Sequence, residues 1–184
     1  ISVTGVQTCA LPICGSTTPS STATVAAEDT ISVADVRKAV AKLRAGKAVP
    51  REGNLYAAYV HPEVAHDLRA ESGSGSFDDI RKYTEGNVGN ILGGVVGVLG
   101  GAYFVETPRA YVAADGDTST PVYRTIIAGQ QALAEATAVE PGVVIGPVVD
   151  KLMRFRPVGW YSLQGWAIYR DAALYRIESS SSIA

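Results

Sequence analysis

The residues best suited to acid–base or metal chemistry are few and scattered. His61 and His66 are the only histidines, and a spacing of five residues places them on different faces of a helix. No cluster of cysteines accompanies them, so the sequence does not predict a zinc site. His61 stands between an apolar stretch and Pro62, where we expect a helix cap or a packed turn residue rather than a catalytic base.

Two pairs of carboxylates, Asp78–Asp79 and Asp115–Asp117, lie among glycine, serine and threonine residues. A carboxylate that acts as a general acid needs apolar neighbours that raise its pKa, and these neighbours cannot provide them. No serine occupies a Gly-x-Ser-x-Gly elbow either. We therefore predict no catalytic, cofactor-binding or metal-binding residue, no cofactor, and a protein that is not an enzyme.

Residues 86–101 (GNVGNILGGVVGVLGG) are rich in glycine but match neither GxGxxG nor GxxxxGK[ST]. They contain no lysine or arginine to balance the charge of a phosphate. The pattern favours a hairpin with tight turns that leads into a strand at Ala102–Glu106. A small-molecule-binding enzyme that uses this glycine-rich loop is an alternative.

Aromatic rings and guanidinium groups are concentrated near the C-terminal end. Such residues stack on single-stranded nucleic acid, but they are also enriched at protein interfaces. The net charge of −2, from 16 basic and 18 acidic residues, favours an interface or a core. The group comprises Phe155, Trp160, Tyr161, Trp166, Tyr169, Tyr175, Arg154, Arg156, Arg170 and Arg176.

The composition independently indicates contacts between subunits. Apolar residues make up 47% of the chain and charged residues 18%, against about 25% charged in a typical soluble domain. Large apolar subunit contacts explain this balance. The uncharged residues 88–105 contain six glycines and lack the bulk of a membrane helix, so we predict no membrane partner.

The amphipathic pattern predicts a first helix over Val33–Ala45. Ser32 supplies the N-cap, Asp35 occupies the capping-box position, and Gly46 ends the helix. The apolar stripe of this helix consists of Val33, Val36, Val40 and Leu43. We expect these side chains to pack against a sheet that contains the apolar strand Leu55–Val60.

The remaining segments alternate between strands and helices, which indicates an α+β domain. A helix begins at Pro62 with a stripe of Val64, Ala65 and Leu68, and Val122–Ala128 reads as a strand. We further predict a loop at Ser72–Ser76, a short helix at 77–83, an exposed turn at Asp115–Pro121, a helical turn or two at Gln130–Ala138 and a β-branched segment at Val143–Val149. From Phe155 the pattern fits either a long strand with a bulge or a helix followed by a strand.

The first 30 residues are expected to lie outside the fold. Val3–Ile13 resembles the in-frame translation of a sequencing adapter, so we interpret residues 1–14 as an artefact and draw nothing from Cys9 and Cys14. The basic start and continuous apolar core of a signal peptide are missing. Residues 15–30 read as a linker, and residues before Thr30 are predicted to pack against nothing.

Four segments occur in an order that resembles the major capsid proteins of tailed bacteriophages. They are LYAAYVHPEVAHDLRAE, LGGAYFVETPRA, VYRTIIAGQQALAEA and VVDKLMRFRPVGWYSLQGWAIYRDAALYRIES. The resemblance covers Thr30–Ser179 and is greatest to the podophage branch of the N-four type. It implies the Johnson (HK-97-type) capsid fold, with residues 31–142 as an axial-domain-like α+β unit and 143–184 as a C-terminal, peripheral-domain-like segment.

The resemblance also implies a function. The chain would be a structural subunit of a virion capsid, assembled in the bacterial cytoplasm from hexamers and pentamers of itself. A scaffold or portal protein would be a further partner, and packaged DNA would be present only as the content of the shell. The family's N-terminal arm, extended loop and spine helix precede this region, so we interpret the chain as N-terminally truncated. A compartment shell protein of the encapsulin type is the alternative.

Overall fold

The computed structural model describes residues 21–71, 95–152 and 154–183. Its helices are α1 (Val33–Ala45) and α2 (Pro62–Ala70). Its strands are β1 (Tyr56–Val60), β2 (Val95–Leu99), β3 (Ala102–Glu106), β4 (Val112–Ala113), β5 (Val122–Ala128), β6 (Leu133–Ile145), β7 (Val158–Ile168) and β8 (Leu174–Ser179). The mixture of helices and strands confirms the predicted α+β class. The described residues form two compact units, one from residues 21–132 and 170–183 and the other from residues 133–169.

Helix α1 has the predicted bounds and the predicted cap. The Ser32 hydroxyl accepts a hydrogen bond from the Asp35 amide, and the Asp35 carboxylate accepts one from the Ser32 amide. This reciprocal pair satisfies two donors that would otherwise be unpaired at the start of the helix. The predicted stripe is buried throughout, and the exposed fraction of Leu43 is 1%.

Strand β1 passes directly into helix α2 through His61. The imidazole Nδ1 accepts a hydrogen bond from the amide of Glu63, and Pro62 occupies the first helical position, where no amide donor is needed. This confirms the predicted cap. Val64, Ala65 and Leu68 are buried as expected.

The first unit is built on a six-stranded sheet in the order β2-β3-β1-β5-β4, with β8 also paired to β5. Strands β1 and β3 are parallel, and the other pairs are antiparallel. Alternate residues of the central strands join the buried core that both helices share, which places both helices on one face. That core confirms the expected packing of α1 against the strand Tyr56–Val60.

The described part of the glycine-rich stretch forms the predicted hairpin into β3. Gly100 and Gly101 connect β2 to β3 with φ angles of 60° and 94°, a backbone conformation that glycine adopts without strain. The predicted loop at Ser72–Ser76 and the short helix at 77–83 lie outside the described residues. Within the described residues, no helix is both long enough and apolar enough to cross a membrane.

The second unit, residues 133–169, is an antiparallel hairpin of β6 and β7. The predicted helical turn at Gln130–Ala138 is wrong, because Leu133–Ala138 belongs to β6. Alanine, leucine and glutamate favour a helix locally, but pairing with β7 overrides that weak preference. From Phe155 the sequence fitted either a long strand with a bulge or a helix followed by a strand, and the structure has strand β7 there. The register shifts of the hairpin place the extra residues in β6.

The prediction that residues before Thr30 pack against nothing is wrong for Ser21–Asp29. Val25 is fully buried, and its carbonyl accepts a hydrogen bond from the amide of Asp117. Thr30 forms a parallel bridge with Ser180. Ser/Thr/Ala-rich composition favours a linker, but a single buried valine and these backbone contacts attach this segment to the first unit. Residues 1–20 lie outside the described residues, so the adapter interpretation stays a prediction.

Candidate interaction surface

The hairpin of β6 and β7 exposes apolar side chains to an unusual degree. All 13 residues of β6 are exposed, and most of the 11 residues of β7 are as well. Trp160 and Trp166 are both 67% exposed. A soluble protein rarely leaves so many large apolar side chains in water, so we identify the hairpin, residues 133–169, as the candidate interaction surface.

Both faces of the hairpin carry this apolar surface. Side chains alternate between the faces along each strand, and residues opposite one another in the register share a face. The first face presents Leu133, Val143, Ile145, Val158, Trp160, Trp166 and Ile168. The second presents Val139, Val144, Tyr161 and Leu163, with small residues around them. Neither strand alternates between apolar and polar residues along its whole length, as a strand does when one face of its sheet is buried and the other meets water.

The two strands of this hairpin gain little stability from each other alone. A two-stranded hairpin by itself is marginal in water, because neither strand has a hydrophobic layer to pack on. Among the described residues, β6 and β7 pair only with each other. The exposed rings and aliphatic side chains would be stabilised if another surface covered them.

The loop at the tip of the hairpin, residues 146–157, is basic and apolar. It contains Lys151, Arg154 and Arg156 against one carboxylate, Asp150, while β6 carries Glu135 and Glu140 and β7 no charge. Nε of Arg154 lies 2.9 Å from the Asp150 carboxylate. The hairpin is therefore positive at its tip and negative along one strand.

The structure separates the aromatic and arginine group that the sequence singled out. Phe155, Trp160, Tyr161, Trp166 and Tyr169 are exposed on the hairpin, whereas Tyr175 is buried in the core of the first unit. The core position is confirmed for Tyr175, while the interface position of the exposed rings stays a prediction. The exposed aliphatic residues of β6, Val139 and Val143 to Ile145, were not predicted to belong to this surface. Their β-branched side chains favour a strand, and that preference was the available signal.

The first unit holds a buried ionic cluster on the sheet face opposite the helices. The carboxylate of Glu178, fully buried, accepts a hydrogen bond from the hydroxyl of Thr22 and lies 2.8 Å from Nη2 of Arg176. Arg124, its cross-strand neighbour, also pairs with Asp115. The two carboxylates balance the two guanidinium groups, so the cluster joins strands and the segment around Thr22 without leaving net charge.

The two histidines and the carboxylates around them act as structural contacts. The Tyr123 hydroxyl donates to the Glu63 carboxylate, and burial together with this carboxylate raises the pKa of Tyr123 to about 12. Burial of Asp67 acts to raise its pKa, but hydrogen bonds from the hydroxyl and amide of Ser182 outweigh it, so the pKa of Asp67 is lowered. His66 contacts Asp67 from the exposed side.

None of these groups forms a metal centre. Within the described residues, no three carboxylate, histidine or cysteine side chains come together as metal ligands would. Asp115 is engaged by Arg124, as above, while Asp78–Asp79 lies outside the described residues. The described carboxylates and histidines make contacts within the chain.

The comparisons agree with this description of the molecule. The sequence model of a family described as phage capsid protein matches residues 8–182, nearly the whole chain. The chain therefore belongs to the phage capsid protein family. It matches none of the curated proteins with which it was compared.

Solved structures show that the fold is that of phage capsids, which confirms the predicted Johnson fold. The capsid of Ralstonia phage GP4 has a TM-score of 0.64 at 20% identity, over 88% of this chain and 50% of that one. The acid-stable capsid of Helicobacter pylori bacteriophage KHP30 has a TM-score of 0.61 at 18% identity, over 82% and 59%. The cyanophage Pam1 capsid has a TM-score of 0.60 at 15% identity, over 88% and 50%. This chain thus spans half to three fifths of the length of the capsid chains it resembles.

Proposed function

We propose that this chain is a structural subunit of a tailed-phage capsid shell and that it associates with further copies of itself. The observation that carries the proposal is the exposed apolar hairpin, residues 133–169, on a chain of the phage capsid protein family. A shell subunit buries large surfaces against its neighbours, so apolar side chains that are exposed in one copy become covered on assembly.

The assignment of the two units to an axial and a peripheral domain is also part of this proposal. The structural units divide at residues 132 and 170, and β8 pairs with β5 in the first unit, although the domain prediction grouped β8 with residues 143–184. We propose that the first unit is the axial domain and the hairpin part of the peripheral domain. Membership of the podophage branch, hexamers and pentamers, and a scaffold or portal partner also belong to the proposal.

The same proposal gives the protein no catalytic role. The described glycines of the glycine-rich stretch connect two paired strands, a role that needs no ligand. A panel of nucleotides should therefore leave the thermal unfolding temperature unchanged in scanning fluorimetry. A shift that grows with nucleotide concentration would favour the alternative enzyme.

The shell-subunit proposal is tested by sedimentation velocity and electron microscopy of the purified chain. We expect reversible association that increases with protein concentration, because the hairpin is covered only in the associated form. We further expect that closed shells do not form from this chain alone, since it spans about half of the related capsid chains. A chain that stays monomeric at every concentration contradicts the proposal.

A further inference from the structure

We propose that two copies of this chain pair through strand β7, edge to edge and antiparallel, about a two-fold axis at Leu163. The inference rests on the proposed function, because a shell subunit must contact other copies of itself. It adds the strand that makes one of those contacts and the register in which it does so.

The two outer edges of the hairpin differ in their ability to accept another strand. Strand β6 contains Pro141, which has no amide donor, and the register shifts near Val139 place extra residues in it. Prolines, bulges and charges are the features that protect an edge from pairing, and β6 carries all three. Strand β7 has 11 residues without a proline, a charge or an extra residue, so its edge is the one suited to pairing.

The sequence of β7 is nearly a palindrome around Leu163. Reading outward from that residue, the strand VGWYSLQGWAI pairs Ser162 with Gln164, Tyr161 with Gly165, Trp160 with Trp166, Gly159 with Ala167 and Val158 with Ile168. An antiparallel pair of identical strands places these same residues opposite one another. Any antiparallel pair of identical strands is two-fold symmetric, and the register centred on Leu163 is the one that places these similar residues opposite one another.

The side chains in that register would pack well. Trp160 of each copy would face Trp166 of the other on the same side of the sheet, and aromatic cross-strand pairs stabilise antiparallel strands. Tyr161 would face Gly165, where an added Cβ meets no atom within 4 Å and a ring therefore has room. Both arrangements would cover rings that are exposed in the single chain.

The charges of the hairpin favour the antiparallel direction. The tip, residues 146–157, has three basic residues and one acidic residue, and β6 carries Glu135 and Glu140. Antiparallel pairing directs the basic tip of one copy toward the strand end near Glu135 of the other. Parallel pairing would bring the two basic tips together, which is unfavourable.

Cysteine cross-linking tests the register, with Cys9→Ser and Cys14→Ser as the background. Leu163→Cys should form disulfide-linked dimers under mild oxidation, because directly opposed residues lie about 4.5–5.5 Å apart at Cα, within the range of a disulfide. Trp160→Cys alone and Trp166→Cys alone should not, since each would lie about 20 Å from its own copy. A mixture of these two variants should cross-link to each other.

Val144→Cys is the matched control, since Val144 is similarly exposed but lies on β6. We expect Leu163→Cys to cross-link about tenfold faster than this control, because pairing raises the local thiol concentration. Equal rates, or self-linking of Trp160→Cys at the rate of Leu163→Cys, would overturn the proposal. So would pairing of β7 with a different segment, which would leave Leu163→Cys unlinked.

Charge at the axis gives a second readout without oxidation. Leu163→Lys and Leu163→Glu should each weaken the dimer about tenfold, since a residue on a two-fold axis faces its own charge. Mixing the two variants should restore association. If the chain associates but neither result appears, the β7 contact is wrong while the shell-subunit proposal stands. If the chain never associates, both are wrong.

Discussion

Asp67 holds the C-terminal end of the chain against helix α2. Its carboxylate accepts hydrogen bonds from the amide and hydroxyl of Ser182, the amide at 2.9 Å. Since these bonds lower the pKa of Asp67 below its usual 3.8, the ionised carboxylate stabilises the folded state at neutral pH. This contribution is lost as the pH falls below about 3.8 and through the folded pKa.

Asp67→Asn should therefore lower the free energy of unfolding by about 1–3 kcal/mol at pH 7, because the amide places a donor where two donors converge. The difference from the original chain should shrink toward pH 2. Urea unfolding followed by circular dichroism at several pH values measures both effects. Asp171→Asn, at an exposed position, is the control, and an equal loss in that variant would contradict the role of Asp67.

At alkaline pH, Tyr123 should make the free energy of unfolding depend on pH in the opposite direction. The raised pKa of about 12 means that the folded state retains the phenol proton after the unfolded chain has lost it near pH 10. Stability is thus fully present below pH 10 and falls by about 2 kcal/mol as the pH rises to 12. Tyr123→Phe should remove this part of the alkaline loss, while the exposed Tyr111→Phe should not. Identical alkaline profiles for the two variants would refute the assignment.

The largest loss of stability that we predict for a substitution within one element is in helix α1. Leu43→Ala should lower the free energy of unfolding by about 2–5 kcal/mol, because a fully buried leucine leaves a cavity. Val49→Ala, at a half-exposed site outside the helix, should cost far less. A loss below about 0.5 kcal/mol for Leu43→Ala in denaturant titration would mean that the stripe does not face the core.

The elements that the sequence predicted are those whose local signals agree with their surroundings. Helix α1 has a cap, a stripe and a terminating glycine, and α2 has a proline at its first position, so no distant contact was needed to recognise them. Strand β6 could not be recognised in the same way. Its first half, LAEATA, favours a helix, and only its pairing with β7, about 30 residues away, makes it a strand.

The attachment of Ser21–Thr30 to the first unit could not be predicted from its local sequence either. Serine, threonine and alanine are typical of linkers, and the contacts that fix this segment come from Asp117 and Ser180, far along the chain. The same limit applies to the candidate surface. The sequence identified its aromatic side chains, but whether Trp160 and Tyr175 lie on a surface or in a core depends on the strand that holds each one.

At the scale of the whole molecule, the chain combines a unit with its own buried core and a hairpin that has none. The first unit has α1 and α2 on a six-stranded sheet, and most of its buried apolar side chains form one cluster. The hairpin has apolar residues on both faces but no buried layer of its own. On the proposed function, a chain of the phage capsid protein family would fold in the first unit and associate through the hairpin.

Removal of the hairpin tests that division most directly. The amide of Arg170 donates to the carbonyl of Ala132 at 3.4 Å, so a short glycine linker can replace residues 133–169. A second variant keeps the hairpin and replaces Val143, Trp160 and Leu163 by threonine, which preserves strand preference without the apolar surface. Circular dichroism establishes that each variant is folded.

Sedimentation velocity of these two variants beside the full chain is the decisive measurement. We expect the full chain to associate as its concentration rises, while both folded variants sediment as monomers over the same range. A folded variant that associates as strongly as the full chain would contradict the claim that the hairpin is the surface through which copies of this capsid protein meet.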